Sequence, residues 1–235
     1  MSPSIIDMHV HTTRGATDSS LKPVELARKA RRVGLDGVVV TEHDRLWDRR
    51  EISNFRETYS LFIASGMEVS TELGHILVIG LDRYVPGIQR SEDLRRVVRE
   101  AGGYLIAAHP FRHYFHRAYW ESQGWEPFNL TPQEAARLPV FELVDAIEVL
   151  NGGNNDRENL FALEVAQVLG KPGVGGSDAH SDQGVGIYTT VFEKGLETEG
   201  EMLRELKAGR FYPARGLPKG KLERFALDTV SPPDP

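Results

Sequence analysis

The chain has no cysteine among its 235 residues, which excludes disulfides, thiolate nucleophiles and thiolate metal ligands. Any metal must therefore be held by imidazole and carboxylate, a donor set that suits zinc, manganese or iron better than copper(I) or an iron–sulfur cluster. No apolar run approaches the roughly 18 residues that a membrane-spanning helix requires, so no membrane partner is expected. Positive charge is not in surplus either. The formal net charge of −6 argues against a broad surface for long duplex nucleic acid, because that mode needs a basic face to displace counterions. There is no internal repeat, heptad or low-complexity tract, and no linker that would divide the chain into separate domains. With 40% hydrophobic and 26% charged residues, the sequence is that of a globular chain able to bury one substantial core. One domain over residues 1–230 is expected, with SPPDP at 231–235 as a disordered tail. The first candidate ligands arrive at residues 7–11, which leaves no space for a removable apolar leader and points to the cytoplasm.

What the chain does have is histidine and carboxylate placed where strand-like runs stop. The signatures are DMHVH at 7–11, TEHD at 41–44, MEVSTELGH at 67–75, AHP at 108–110 and SDAH at 177–180. In a strand, residues i and i+2 point to the same face, so His9 and His11 can grip one cation from one side, and Asp7 shares that face. Residues at the C-terminal ends of several parallel strands converge at one mouth in a β/α barrel.

The pattern along the chain fits this architecture. Strands are expected at 4–11, 37–40, 75–81, 104–108, 146–150 and 173–176, with a further extended stretch at 67–71. Helices are expected at 23–33, 91–101, 156–169 and 199–208, the first with Pro23 in its first turn and Gly34 at its stop. The connection between Glu68 and His75 is too short for a crossover, so these two segments should be antiparallel neighbours. About seven β/α units follow, giving a distorted (β/α)7, TIM-like barrel with a metal site at the C-terminal mouth of its strands.

In this order, DMHVH, TEHD, the Glu68/His75 pair, AHP and SDAH resemble the PHP (polymerase and histidinol phosphatase) superfamily of metal-dependent phosphoesterases, over residues 5 to about 190. The resemblance implies three divalent ions, of zinc, manganese or iron. It puts one on His9, His11, Glu68 and Asp178, a second on Glu68, His75 and His109, and a third on Asp18, His43 and His180. His9, His11, Glu68, Asp178 and His180 would then be the catalytic set. Two divalent ions sharing a carboxylate can hold a bridging hydroxide at neutral pH, because coordination lowers the pKa of water from about 15.7 toward 7. With three carboxylates and that hydroxide, such a cluster keeps about two surplus positive charges, enough to draw a phosphate dianion to an acidic protein.

Asp7 is expected behind the ligands, orienting one imidazole. Arg14 and Arg112, each three residues beyond a ligand histidine, are the candidate phosphate clamps. The segment 111–128 holds seven of the twenty aromatic residues. Its aromatics either pack on the barrel or on another subunit, or form a wall that stacks on a substrate ring. The implied substrate is a small phosphorylated compound, such as a nucleotide, a sugar or amino-alcohol phosphate, or the end of a short oligonucleotide. Two alternatives stand beside it. One is an amidohydrolase-type or deoxyribonuclease-type metal hydrolase, against which counts the lack of a lysine on the ligand-bearing strands. The other is a non-catalytic PHP-like domain with a structural metal site.

Overall fold

The computed structural model describes residues 2–123 and 129–228; the tail expected at 231–235 and some of the aromatic segment lie outside them. Ten strands carry the architecture: β1 Ser4–Val10, β2 Gly37–His43, β3 Phe62–Thr71, β4 Gly74–Ile79, β5 Tyr104–Ala107, β6 Ala146–Asn151, β7 Gly173–Gly176, β8 Tyr188–Phe192, β9 Phe211–Arg215 and β10 Glu223–Arg224. They form one sheet in the order β10-β9-β8-β1-β2-β3-β4-β5-β6-β7.

The sheet curls on itself. Val10 bridges Ala179 in parallel, His11 N–H donates to the Ala179 carbonyl at 3.0 Å, and Asp178 N–H donates to the His9 carbonyl at 2.7 Å. On the far side, Gly175 N–H donates to Thr190 Oγ1 at 2.9 Å, tying β7 to β8. The chain leaving β7 is thereby delivered against the end of β1. One buried cluster draws Ile6 and Met8 from β1, Val39 from β2, Ala64 from β3, Leu77 from β4, Ile106 from β5, Ala146 from β6 and Val174 from β7. Side chains from seven successive strands thus share one face, and the Val10–Ala179 bridge closes that face into the inside of a curl.

The architecture is α/β and barrel-like, but it is not seven regular repeats. β1–β2, β2–β3, β5–β6 and β6–β7 pair in parallel. β3–β4, β4–β5, β1–β8, β8–β9 and β9–β10 are antiparallel. The Glu68/His75 segments behave as their short connection requires, because a parallel return needs a crossover of a dozen or more residues. The extension β8–β10 was not anticipated from sequence; YTTVF and FYPAR are short, and Pro213 sits inside the second.

The helices at Pro23–Val33, Asp156–Leu169 and Glu199–Ala208 coincide with the expected spans. Each ends on a glycine in the left-handed region, Gly34 at φ 87°, Gly170 at φ 63° and Gly209 at φ 66°, a conformation that costs a side-chain-bearing residue more. A helix at Arg49–Tyr59 was not expected, although Asp48 and Glu51 form a capping box at its start. Among the described residues, no helix is long and apolar enough to cross a membrane.

The helix Glu199–Ala208 is fixed to the strand ends by one carboxylate. Glu205 is buried, and it accepts from Arg210 Nε at 2.6 Å and Lys194 Nζ at 2.9 Å. The hydrogen bond from Arg210, then that from Lys194, hold its carboxyl down to about 2. A depressed carboxyl pKa contributes stability above the unfolded value near 4.5 and loses it as pH falls through the folded value. Glu205→Gln should therefore lower Tm at pH 7, modestly, because both cationic partners are half exposed and screened by solvent. In thermal melts taken from pH 7 downward, the gap to the parent should narrow between about pH 4.5 and 2; a gap that stays constant to pH 2 would rule out this ion cluster.

Candidate metal centre

Six of the eight histidines of the chain gather at one end of the curled sheet, around the carboxylate of Glu68. Strand register explains how. His43, the last residue of β2, pairs with Glu68 on β3, and Ser70 of β3 pairs with His75 of β4. His109 and Asp178 lie just past β5 and β7, and His9 and His11 are at the end of β1. At three of these strand ends the backbone is forced into the left-handed region, with φ 50° at Asp44, 30° at His109 and 53° at Asp178. That conformation is costly for a residue with a side chain, and such outliers cluster where geometry serves a site.

The two oxygens of Glu68 face different partners. Oε2 lies 3.3 Å from His11 Nε2, 3.7 Å from His9 Nε2 and 3.1 Å from His43 Nδ1. Oε1 lies 2.8 Å from His75 Nδ1 and 2.9 Å from His109 Nε2. Asp178 Oδ1 stands 3.3 Å from both His9 Nε2 and His11 Nε2, and those two ring nitrogens are 3.0 Å apart. To one side, Asp18 Oδ2 is 3.4 Å from His43 Nε2 and 3.3 Å from His180 Nε2.

The donor atoms group as a metal site would require. His9, His11 and Asp178 form one set, His9, Glu68 and His109 a second, and His11, His43 and His180 a third, with ligand atoms within 4.8 Å of one another in each. Donors around a single ion at about 2.0–2.2 Å must stand roughly 3.0–3.6 Å apart. The His9–His11, His9–Asp178, His11–Asp178 and His11–Glu68 separations, at 3.0–3.3 Å, fall in that window, and His9–Glu68 at 3.7 Å lies just beyond it. Two imidazole nitrogens facing each other at 3.0 Å also need a cation, or a proton donated by one of them, between them.

The electrostatics point the same way. Burial opposes a charge on His9, but Asp178, Glu148 and Glu68 outweigh it and hold its pKa well above the ordinary imidazole range. Burial would likewise raise Glu68 and Asp178, yet His9 and the neighbouring histidines, with Arg112 in the case of Asp178, keep both far below the usual carboxylate range. His109 goes the other way: its burial dominates and its pKa is lowered. His43 is raised by its contact with Glu68. Asp18 is lowered, with burial overcome by His180 and His43. Buried carboxylates demand cations, and a mixed imidazole and carboxylate set suits first-row divalent ions such as zinc, iron or manganese.

The residues expected around the ligands are disposed as follows. Asp7 is fully buried and accepts from Ser177 N at 2.8 Å, Ser177 Oγ at 2.5 Å, Gly186 N at 2.9 Å and His9 N at 3.3 Å. Burial pushes its carboxyl up to about 6 against those four donors. It thus anchors the backbone that carries Asp178 and contacts no imidazole ring. The residue on the ring is Glu148 of β6, whose Oε1 is 3.0 Å from His9 Nδ1. Its Oε2 accepts from His109 N at 2.8 Å and from Asn151 Nδ2 at 2.9 Å.

Sequence reasoning passed over Glu148, although a lone acid inside the apolar strand AIEVL carries the signal that singled out Glu68: an isolated buried carboxylate is costly and must have a partner. Arg112 donates to Asp178 Oδ2 and, at 2.7 Å, to Asn151 Oδ1. Arg14 is drawn away to Glu51 at 2.9 Å and lies over Trp47. His113 and His116 join none of the three ligand groupings.

Residues 156–211, which include Asp178 and His180, match a family model described as PHP-associated. An uncharacterised protein of Methanocaldococcus jannaschii, MJ1587, is 25% identical over 114 residues, covering 45% of this chain and 67% of that protein. Among solved structures, a candidate metal-dependent phosphoesterase from Bifidobacterium adolescentis superposes with a TM-score of 0.59 at 17% identity, covering 87% of this chain and 96% of that one. An amidohydrolase from Chromobacterium violaceum, solved with bound sulfate and no metal, gives 0.61 at 18% identity over 89% and 97%. At such identities the structural likeness speaks to the fold.

The packing behind the ligands leaves no slack at Gly176. A Cβ there would come within 2.5 Å of His9 Cβ and 2.8 Å of Glu148 Oε1. Gly176→Ala should destabilise the fold by about 1–3 kcal/mol, the usual cost of overpacking, measured by chemical denaturation. An unchanged midpoint would show that His9 and Glu148 are less tightly seated than these distances imply.

Proposed function

We propose that this chain, whose family match and fold support membership of the PHP superfamily, is a metal-dependent phosphoesterase acting on a small phosphate ester. The observation that carries the reading is Glu68: one carboxylate presents Oε2 to His9, His11 and His43 and Oε1 to His75 and His109. That is the disposition of a ligand shared by two cations. On this reading a first ion would sit on His9, His11, Glu68 and Asp178, a second on Glu68, His75 and His109, and a third on Asp18, His43 and His180; His75 and Asp18 lie outside the three donor groupings and join through their contacts with Glu68 Oε1 and with His43 and His180. Divalent ions held there supply activation of water near neutral pH and a positive field for phosphate oxygens.

The chain's own residues do the rest. Glu148 fixes His9 through Nδ1, so that Nε2 faces the centre with its lone pair. Asp7 holds the turn after β7, and so the position of Asp178, through Ser177 and Gly186. Arg112 brings a guanidinium to the rim of the centre, where it now neutralises Asp178 and can offer its remaining donors to a phosphate oxygen. Arg14, paired with Glu51, would have to exchange that partner to contribute. The acidic balance of the chain favours a small or short substrate over long duplex nucleic acid.

An amidohydrolase reading shares the fold of the Chromobacterium violaceum structure. The reaction itself distinguishes the two. Manganese-loaded enzyme should release phosphate from at least one member of a panel holding histidinol phosphate, nucleoside mono- and bisphosphates and 5′-phosphorylated short oligonucleotides. Release should fall to background in His9→Ala and Asp178→Ala. Activity confined to amides or lactones, or full activity in either variant, would sink the phosphoesterase reading. Glu148→Gln should keep the fold yet weaken divalent-ion affinity about 10–100-fold, the typical effect of removing a carboxylate behind a ligating histidine. Calorimetric titration with manganese gives that number directly, and parent-like affinity would remove Glu148 from the account.

A further inference from the structure

We infer that the cleft at the N-terminal ends of β5, β6 and β7 is a second anion site, one that takes a small ligand bearing a phosphate dianion at the end of the sheet away from the metal centre. The inference stands apart from the phosphoesterase reading. Tyr104 opens β5, Asp145 precedes β6 and Lys171 precedes β7, and all three line the cleft. His109 lies just past the other end of β5, so at about 3.3 Å per strand residue the cleft and the metal centre are roughly 15 Å apart. The cleft has a volume of about 550 Å³, within the roughly 300–1,000 Å³ of small-molecule pockets.

Charge gives the occupant its chemistry. The lining holds four cations, Arg95, Arg99, Lys171 and Lys207, and one acid, Asp145. Asp145 is already spent: its two oxygens accept from Arg95 Nη1 at 2.8 and 2.9 Å, and Oδ2 also accepts from Leu105 N at 2.9 Å. Lys171 Nζ donates to the Val144 carbonyl at 2.6 Å and Lys207 Nζ to the Gly102 carbonyl. Among the described residues, neither lysine has a carboxylate within ion-pair distance, and nor has Arg99. The cleft thus carries a surplus of three positive charges in a chain of formal net charge −6. Helix ends offset only part of it. The helices Ser91–Glu100, Asp156–Leu169 and Glu199–Ala208 all stop at this cleft, and each C-terminus counts as roughly half a negative charge, which leaves about one and a half positive charges unanswered.

The donors there are free to serve an oxyanion. An ammonium has three N–H bonds, so each lysine keeps two beyond its carbonyl, and Arg99 brings a guanidinium fork that can grip two oxygens of one phosphate. Tyr104 adds a neutral donor. It is 4% exposed, and its hydroxyl has no hydrogen-bond partner among the described residues, yet is not sealed from solvent. Burial, then the Asp145 carboxylate in the same lining, holds the phenol above its ordinary pKa, so it stays protonated and able to donate.

The test is a titration of full-length, zinc-saturated, nitrogen-15-labelled protein with inorganic phosphate, followed by amide NMR, with chloride at equal ionic strength as the control. Phosphate should shift the amide signals of Gly102, Gly103, Lys171 and Gly209 along a saturable curve, and chloride should not. Arg99 is exposed and unpaired, so Arg99→Glu should fold as the parent does. It should raise the midpoint of that curve about tenfold or more, the loss of a charge-assisted hydrogen bond, and Tyr104→Phe should raise it about 2- to 10-fold, the loss of a neutral one. Amides beside His11 and His43 report phosphate at the metal centre separately, and their response should be the same in parent and both variants. Shifts at the cleft that chloride reproduces, shifts confined to the metal centre, or a cleft midpoint that Arg99→Glu leaves unchanged would overturn the inference. Because the cleft is read by binding alone, failure of the protein to cleave any phosphate ester leaves this result unaffected.

Discussion

The arrangement of this molecule turns on a single buried carboxylate. Glu68 has almost no exposure and touches five imidazoles; in an apolar interior a lone carboxylate would cost several kcal/mol. Everything around it answers that cost. β2 and β4, its neighbours in the sheet, bring His43 and His75; β1 brings His9 and His11; the turn after β5 brings His109. The curl of the sheet is needed for this convergence, because Asp178 after β7 reaches His9 and His11 only where the chain leaving β7 meets the end of β1.

A second layer of buried acids keeps the first in place. Glu148 ties His9 to the backbone of His109, across β1, β5 and β6. Asp7 ties β1 to the chain after β7 through Ser177 and Gly186. Glu42 accepts from Thr12 N at 3.0 Å and Trp47 Nε1 at 2.9 Å, which steadies the start of the loop bearing Asp18. Each of these carboxylates is fully buried and hydrogen-bonded, so each joins segments that would otherwise be free to drift. Their value lies in orientation, since a candidate ligand set displaced by an ångström would no longer enclose an ion.

Much of the site was legible in the sequence because its logic is local. His9 and His11 share a face by strand period, and TEHD, AHP and SDAH each stand at the end of an apolar run. What escaped notice was non-local. Glu148 looks like an ordinary strand residue until the fold places its oxygens against His9 and the His109 amide. Asp7 shares the face of His9 by spacing, yet the donors that reach it come from residues 177 and 186, which no spacing rule discloses. In the fold, the antiparallel β3–β4 pair followed from a connection too short to cross over, and three helices from their caps. The antiparallel extension β8–β10 did not, because its strands are short and their pairing is set by partners distant in sequence. The aromatic segment divides in a way composition cannot show: Phe111 and Tyr114 build core, while His113 and Tyr119 border a cleft.

The sharing of Glu68 is tested most directly by counting metal. Parent protein and Glu68→Ala, each saturated with manganese, freed of excess ion and shown to be folded, would be assayed for bound metal by elemental analysis. The account predicts that the variant loses two ions relative to the parent and keeps the one assigned to Asp18, His43 and His180. Loss of a single ion, or of none, would contradict the claim that one carboxylate serves two cations.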